Sequence, residues 1–551
     1  MYKYSMTRGW KDHAISSSSM KISSFGSLLC LTTLFLCNAG PSKSQFLDHP
    51  RPSQNWINHG GDLHNTRNAR NEVLISPATV STLTLKWKFE TGKSISATPA
   101  IYDGVVYFPS WDGYVYAVRA LDGALIWQTY LPNATKLAPS PYNPRTNYTV
   151  ARATPTVAGS FLMIGIYGPA VVVALHRRTG RLVWLTTLDE HPAGVITMSG
   201  TYYEGGYYVG TSSQEELATI HKCCSFRGGF SKLDVRTGKI LWTTYMLPDN
   251  NGQLNQYAGA AIWGSSPAID IRRKLVYIAT GNLYSVPLDV QECQEKENNQ
   301  TVPDHPESCI GPDIHSESIL GMELGSGKVR WSRQIGGYDV WFLACYDLSK
   351  AKCPPGPNPD ADFGEAPMML TIRINGIKVD IVAATQKSGF AWALNRATGD
   401  LIWSTEAGPG GFAGGGTWGS ATDQTRVYTN IANANFKNFT LKPSTRNITA
   451  GGWVAMDSIT GKPLWSTANP TNATAPGPVT VANGVLFGGS GDKNGTLFAM
   501  DVKSGLILWS YKTGASLFGG PSVSGGCVYT GSGYFGSYTR GTSLFAFCIT
   551  R

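Results

Sequence analysis

Apolar and polar positions alternate in short runs along most of this 551-residue chain, which is the period of a half-buried β-strand. A representative run, Thr496-Leu-Phe-Ala-Met-Asp501, passes through the turn Val-Lys-Ser-Gly505 into Leu-Ile-Leu-Trp509. Gly supplies the positive φ that a tight turn requires. Trp places a large flat ring near the start of the next strand. The same unit ends at Trp127, Trp184, Trp242, Trp331, Trp403 and Trp465, each four residues after a Gly. A partial copy, Leu83-Thr-Leu-Lys-Trp87, brings the copies to eight. Units of this kind cannot cover their own apolar faces and must pack against one another. The predicted fold is all-β, an eight-bladed β-propeller of four-stranded sheets docked through their Trp residues.

Successive Trp residues lie 40, 57, 58, 89, 72, 62 and 44 positions apart. A blade needs only about 40 to 50 residues, so insertions are expected chiefly after Trp242, Trp331 and Trp403. The first unit lacks its preceding strands, and the chain ends on an orphan strand, Thr542-Ser-Leu-Phe-Ala-Phe-Cys-Ile549. Pairing of that strand with the segment 85–90 would close the ring and leave no free edge.

The apolar run 25–38 is followed by small residues and has the shape of a secretory h-region, too short to span a bilayer. Residues 1–44 are therefore expected to be a signal and leader, and 45–551 the propeller. Seven Asn-x-Ser/Thr sequons follow, at Asn133, Asn147, Asn299, Asn438, Asn447, Asn472 and Asn494, as suits a glycosylated, secreted chain. Removing Cys30 and Cys37 leaves eight of the ten cysteines, an even number suited to an oxidising compartment. Adjacency along the chain suggests Cys293–Cys309, Cys345–Cys353 and Cys527–Cys548, with Cys223 and Cys224 left over. The leader holds five Lys/Arg and one Asp, which brings the net charge from +9 to about +5 for the remainder. No basic run interleaves with aromatics, so nucleic acid is not an expected partner. No segment of the mature chain is long and apolar enough to span a membrane.

Between Trp184 and Trp403 plain repeats give way to polar motifs. These are Thr197, Gly210-Thr-Ser-Ser-Gln-Glu215-Glu216, Cys223-Cys224-Ser-Phe-Arg227, Ala261-Ile-Trp263-Gly, Ala279-Thr-Gly-Asn282, Gly311-Pro-Asp313-Ile-His315 and Gln386-Lys387-Ser-Gly389. In this order they resemble the pyrroloquinoline-quinone (PQQ) dependent alcohol dehydrogenases. Gly364-Glu-Ala-Pro-Met-Met369 points to the polyvinyl-alcohol dehydrogenase-like branch. The resemblance covers about residues 53–548.

The resemblance implies a PQQ-type repeat and a quinone on the propeller axis. It gives Thr197, Cys223, Cys224, Arg227, Trp263 and Lys387 to the cofactor: Trp263 as the floor under the ring, Lys387 against the quinone oxygens, Arg227 on a cofactor carboxylate. It gives Glu215 (with Glu216 as the neighbouring alternative), Asn282 and Asp313 to calcium, and makes Asp313 the catalytic base. The residue types suit that chemistry. A flat tricarboxylate needs an aromatic floor and cations at its rim, and calcium takes hard oxygen donors. The implied activity is oxidation of alcohol, polyol or polymer hydroxyl groups by a secreted quinoprotein. A haem motif Cys-x-x-Cys-His is absent from the sequence, so a separate electron acceptor is expected. The competing reading is a cofactor-free propeller that binds a glycan or a protein, since a fold does not fix a function.

Overall fold

The computed structural model of the protein describes residues 55–550 apart from 144, 265, 298–308, 336, 346–352, 355–357 and 537. The expected leader and the sequon at Asn299 lie outside the described residues. Eight four-stranded antiparallel sheets follow one another along the chain. The first comprises Ala100–Tyr102, Val105–Pro109, Tyr114–Arg119 and Leu125–Tyr130. First strands of successive sheets lie side by side around a ring, so they are the inner strands of a propeller. After blade one these are Thr156–Ala158, Thr201–Tyr203, Ala268–Asp270, Met368–Ile374, Ala421–Thr422, Thr480–Ala482 and Ser522–Ser524.

Blade eight closes the ring. Its outermost strand, Leu83–Glu90, pairs antiparallel with Ser543–Ile549, from Leu83 opposite Ile549 to Glu90 opposite Ser543. The Cys527–Cys548 disulfide joins two neighbouring strands of the same blade. The other two expected pairs, Cys293–Cys309 and Cys345–Cys353, are also formed, and the two cysteines left over, Cys223 and Cys224, pair with each other. Among the described residues, no helix is long and apolar enough to cross a membrane. All six described sequon asparagines are exposed.

The repeat Trp residues form an unbroken circuit. Each indole nitrogen donates to a carbonyl of the next blade: Trp87 to Ala120 (3.0 Å), Trp127 to Arg177 (2.9 Å), Trp184 to Val235 (3.0 Å) and Trp242 to Leu324 (3.4 Å). The circuit continues from Trp331 to Arg396 (3.2 Å), Trp403 to Ser458 (3.1 Å), Trp465 to Val502 (2.9 Å) and Trp509 back to Leu83 (3.0 Å). The repeat glycine has a second task beyond its turn. At Gly505 (φ +71°) a Cβ would lie 2.5 Å from the Trp465 ring, so only a hydrogen leaves room for the neighbouring blade's indole. Trp465 is 3% exposed. Trp465→Ala is therefore expected to cost about 3–5 kcal/mol, the usual range for deleting a buried aromatic side chain. A melting midpoint equal to wild type would refute the docking role.

The non-repetitive segment 55–72 meets every blade in turn. Trp56 exchanges backbone bonds with Ile101, and Ile57 O accepts from Val157. Asn58 Nδ2 then reaches Thr201 Oγ1 (3.4 Å). Leu63, His64 and Thr66 carbonyls accept from Ile269, Met369 and Thr422, and Arg67 O accepts from Val481. Glu72 Oε2 finally accepts from Gly526 N (2.9 Å). Arg67 is fully buried, its guanidinium donating to Val479 O (2.6 Å), Thr480 Oγ1 (2.9 Å) and Pro521 O (3.2 Å). The segment thus straps the inner strands together around the axis.

Candidate active site

A cavity of about 220 Å³ opens on the axis. Two kinds of loop line it. Segments just ahead of the inner strands bring Arg152, Thr197, Trp263, Asp360, Asp362, Trp418, Pro476 and Phe518, and loops after the second strands bring Gln214, Glu216, Tyr284 and Lys387. Each blade offers the same two places, so the fold fixes the position and the sequence chooses the chemistry.

Lys387 stands at the centre of the charge. Its Nζ donates to Asp360 Oδ1 and Asp362 Oδ2, both at 2.8 Å, and lies 5.1 Å from the centroid of the Trp263 ring. Burial works against the ammonium, but Asp360, Asp362 and Glu216 outweigh it and hold its pKa above the ordinary range. Asp339 sets the carboxylates in place, accepting from Asp360 N (3.3 Å) and Ala361 N (2.6 Å). Asp362 Oδ1 accepts from Asn282 N (2.6 Å). Asp360 Oδ2 is buried without a partner. Burial pushes the Asp360 carboxyl well above its usual range; Lys387 pulls it back and Asp362 pushes it up again.

Trp263 forms one wall, edge-on to Trp418 at 4.9 Å. At Gly364 a Cβ would lie 2.7 Å from the Trp263 ring, which accounts for the glycine of the Gly-Glu-Ala-Pro motif. The next residue, Glu365, is fully buried and ties two blades together through Thr385 N (2.8 Å) and Ser420 N (2.7 Å). Thr197 Oγ1 and both amide atoms of Gln214 face the cavity region buried and without partners. Arg152 lies over Trp418 (4.2 Å), and Arg145 over Phe535 (3.4 Å).

Of the residues singled out in the sequence, Thr197, Trp263 and Lys387 line the cavity and Asn282 borders it. The others lie outside the lining. The Glu215 carboxylate accepts from Ser225 N (2.9 Å) and Phe226 N (2.7 Å), while Glu216 lines the cavity. Asp313 is not part of the lining, which holds Asp360 and Asp362. It is exposed and leads into Ser318–Glu323, the third strand of its blade, whereas the aspartate pair leads into an inner strand. Arg227 also precedes a third strand, and its guanidinium pairs with Asp249 (2.9 Å) over the Tyr245 ring (4.4 Å). Arg145 and Arg152 are the arginines of the cavity. Cys223 and Cys224 are absent from the lining, and their disulfide packs in the apolar cluster that Trp263 joins.

Burial raises the Glu216 pKa to about 7; Lys387 opposes the shift and Asp362 adds to it. A carboxyl raised in the fold binds more protons folded than unfolded between its usual value and about 7. Its contribution to stability is thus present at low pH and lost as pH rises through that window. Metal-free Glu216→Gln is expected to match wild type near pH 5 and to exceed it near pH 8. The gain is about 1–2 kcal/mol, below the full value of the shift because the side chain is half-buried. Parallel denaturation curves at the two pH values would overturn this.

The donor chemistry fits a planar, anionic quinone: an aromatic wall, three cations and unsatisfied polar atoms around one slot. Hard oxygens for a cation stand beside it in Glu216, Asp360 and Asp362. Among the described residues, no three His, Cys, Asp or Glu side chains are arranged round one point as a metal site, and the Lys387 ammonium sits between the two aspartates.

Comparison with known proteins agrees with this fold. Residues 56–410 match the family described as PQQ, glucose/ethanol/alcohol dehydrogenase, beta-propeller domain. The chain belongs to this family of PQQ β-propeller dehydrogenases. Polyvinylalcohol dehydrogenase of Pseudomonas sp. is 29% identical over 91% of this chain and 78% of its own length. The polyvinylalcohol dehydrogenase of Sphingopyxis sp. (strain 113P3) is 30% identical over 87% of this chain and 73% of its own. Two solved structures share the fold at 18% identity and 90% coverage of this chain. The quinohemoprotein alcohol dehydrogenase from Comamonas testosteroni has a TM-score of 0.67 over 80% of its chain, and a europium-containing methanol dehydrogenase 0.66 over 98%.

Proposed function

We propose that this chain is a secreted quinoprotein that oxidises alcohol hydroxyls, of small alcohols or of hydroxylated polymers, with PQQ and a hard metal ion. The observation that carries the reading is the axial slot in which Trp263, Lys387, Asp360 and unpartnered Thr197 and Gln214 atoms meet. Polymer hydroxyls enter because two relatives that span most of the chain are named polyvinylalcohol dehydrogenases. The exposed sequons and four disulfides support passage through an oxidising, glycosylating compartment.

Bound PQQ would supply a two-electron acceptor for the substrate carbon, and the metal a Lewis acid beside it. Trp263 would carry the ring face, Arg145 and Arg152 the ring carboxylates, and Lys387 the quinone oxygens. Glu216, Asp362 and the side-chain amide oxygen Oδ1 of Asn282 would be the metal donors. The Asn282 Nδ2 is already committed to Leu283 O (2.7 Å) and Trp341 O (2.8 Å). Asp360 is the base: its buried Oδ2, without a partner, takes the hydroxyl proton.

Calcium suits these hard oxygens. Asp360, beside the two metal-holding carboxylates, adds negative charge that favours a trivalent ion, such as the europium of the methanol dehydrogenase noted above. Chelation of the PQQ-loaded protein is expected to abolish dye reduction and lower the melting temperature. Either ion should restore both, the lanthanide at the lower concentration. Activity and stability indifferent to the chelator would remove the metal from this reading.

A further inference from the structure

A second cavity, about 600 Å³, opens beside the first between blades eight and one. Its walls carry Lys93, Arg145 and Arg540 with Trp111, Tyr534 and Phe535, and among the described residues no carboxylate lines it. Lys93 and Arg540 are exposed, and neither pairs with an acidic side chain among the described residues. Lys93 Nζ lies 4.9 Å from the Tyr148 ring centroid. Cations over aromatic faces make a receptor for a flat anion.

The two cavities share Arg145. They are also joined by touching rings. From Trp263 the centroids run to Trp418 (4.9 Å), Phe518 (5.8 Å), Tyr534 (3.8 Å, planes 10° apart), Phe535 (3.9 Å) and Trp111 (5.2 Å). Aromatic pairs hold such offset and edge contacts by their quadrupoles, and the rings from Trp418 onward pack as one apolar cluster. Such a run also shortens the gaps between π-systems that an electron would cross, and tunnelling falls steeply with the gap.

We infer that the second cavity receives a planar anionic aromatic oxidant, of sulfonated or carboxylated quinone type, and that the stacked rings carry electrons to it. This rests on the PQQ reading above. Substrate oxidation leaves two electrons and two protons at the cofactor site. The electrons pass through the rings to the bound quinone, which takes two protons from water and becomes a hydroquinone. The two substrate protons leave to water, so atoms and charge balance.

The test begins with the full chain free of PQQ. Titration with 1-naphthalenesulfonate, followed by quenching of Trp fluorescence, should saturate and weaken with added salt. Lys93→Gln/Arg540→Gln should raise its Kd about five- to ten-fold, as loss of two exposed cations implies. Affinity for uncharged 1-naphthalenemethanol should not move. No saturable binding, or equal Kd in variant and wild type, overturns the site. In PQQ-loaded, alcohol-reduced protein, reoxidation by 1,2-naphthoquinone-4-sulfonate is followed through the cofactor absorbance. Phe518→Leu, which breaks the ring chain outside the second cavity, should slow it at least ten-fold while sulfonate binding persists; an unchanged rate overturns the relay. Protein that binds the sulfonate but takes up no PQQ would refute the function proposed above and the electron-exit role with it. Protein that takes up PQQ but ignores the sulfonate would refute this inference alone.

Discussion

Replacement of Asp360 by Asn is expected to leave PQQ uptake and the melting temperature near wild type while turnover falls about 10²–10⁴-fold, the usual effect of losing a general base. The substitution is isosteric and keeps an oxygen toward Lys387, whose ammonium lies 2.8 Å from Asp360 Oδ1. What it removes is the basic, unpartnered Oδ2. Asp313→Asn is the control. That side chain is exposed and away from the cavity, so its turnover should equal wild type. If Asp313→Asn abolished turnover and Asp360→Asn did not, the base would lie where the sequence alone suggested.

The second large effect is on folding. Lys387→Met should destabilise the metal-free protein by about 3–5 kcal/mol, because it strands two buried carboxylates that had shared one cation. Asp360 is 1% and Asp362 4% exposed, so water cannot take over the role. Lys387→Arg keeps the charge but not the compact donor, and should fall between. Urea midpoints in chelator measure the loss, and an unchanged midpoint for Lys387→Met would show that the carboxylates are already neutral.

The scaffold was legible because its signal recurs. Gly and Trp at fixed spacing mark a contact made eight times, and even the closure of Leu83–Glu90 onto Ser543–Ile549 follows from one unit lacking strands and another end having one to spare. The site was legible only in part. Trp263 and Lys387 occur in recognisable local strings, whereas Arg152 and Asp362 are defined by position, a few residues ahead of an inner strand. Superposing the repeats would have placed them beside Thr197 and Trp263. Asp313 falls in the interruption after Trp242 and the Asp360–Asp362 pair in the one after Trp331, and only strand order shows that the second leads into an inner strand. Glu215 and Glu216 are chemically identical in the sequence, and only the backbone amides of Ser225 and Phe226 distinguish them. Segment 55–72 carries no period at all, since each of its residues meets a different partner.

That segment has a further meaning for how such a ring can change. Propellers grow and shrink by duplication or loss of a blade, and the Trp circuit alone would tolerate either, because every link in it is alike. The 55–72 strap is not made of like links: its successive groups meet blades one to eight in order and end with Glu72 on the closing blade. Insert or delete a blade and every later contact falls out of phase with its partner. The strap therefore acts as a ruler that counts to eight, and the number of blades is held as firmly as the cavity they enclose.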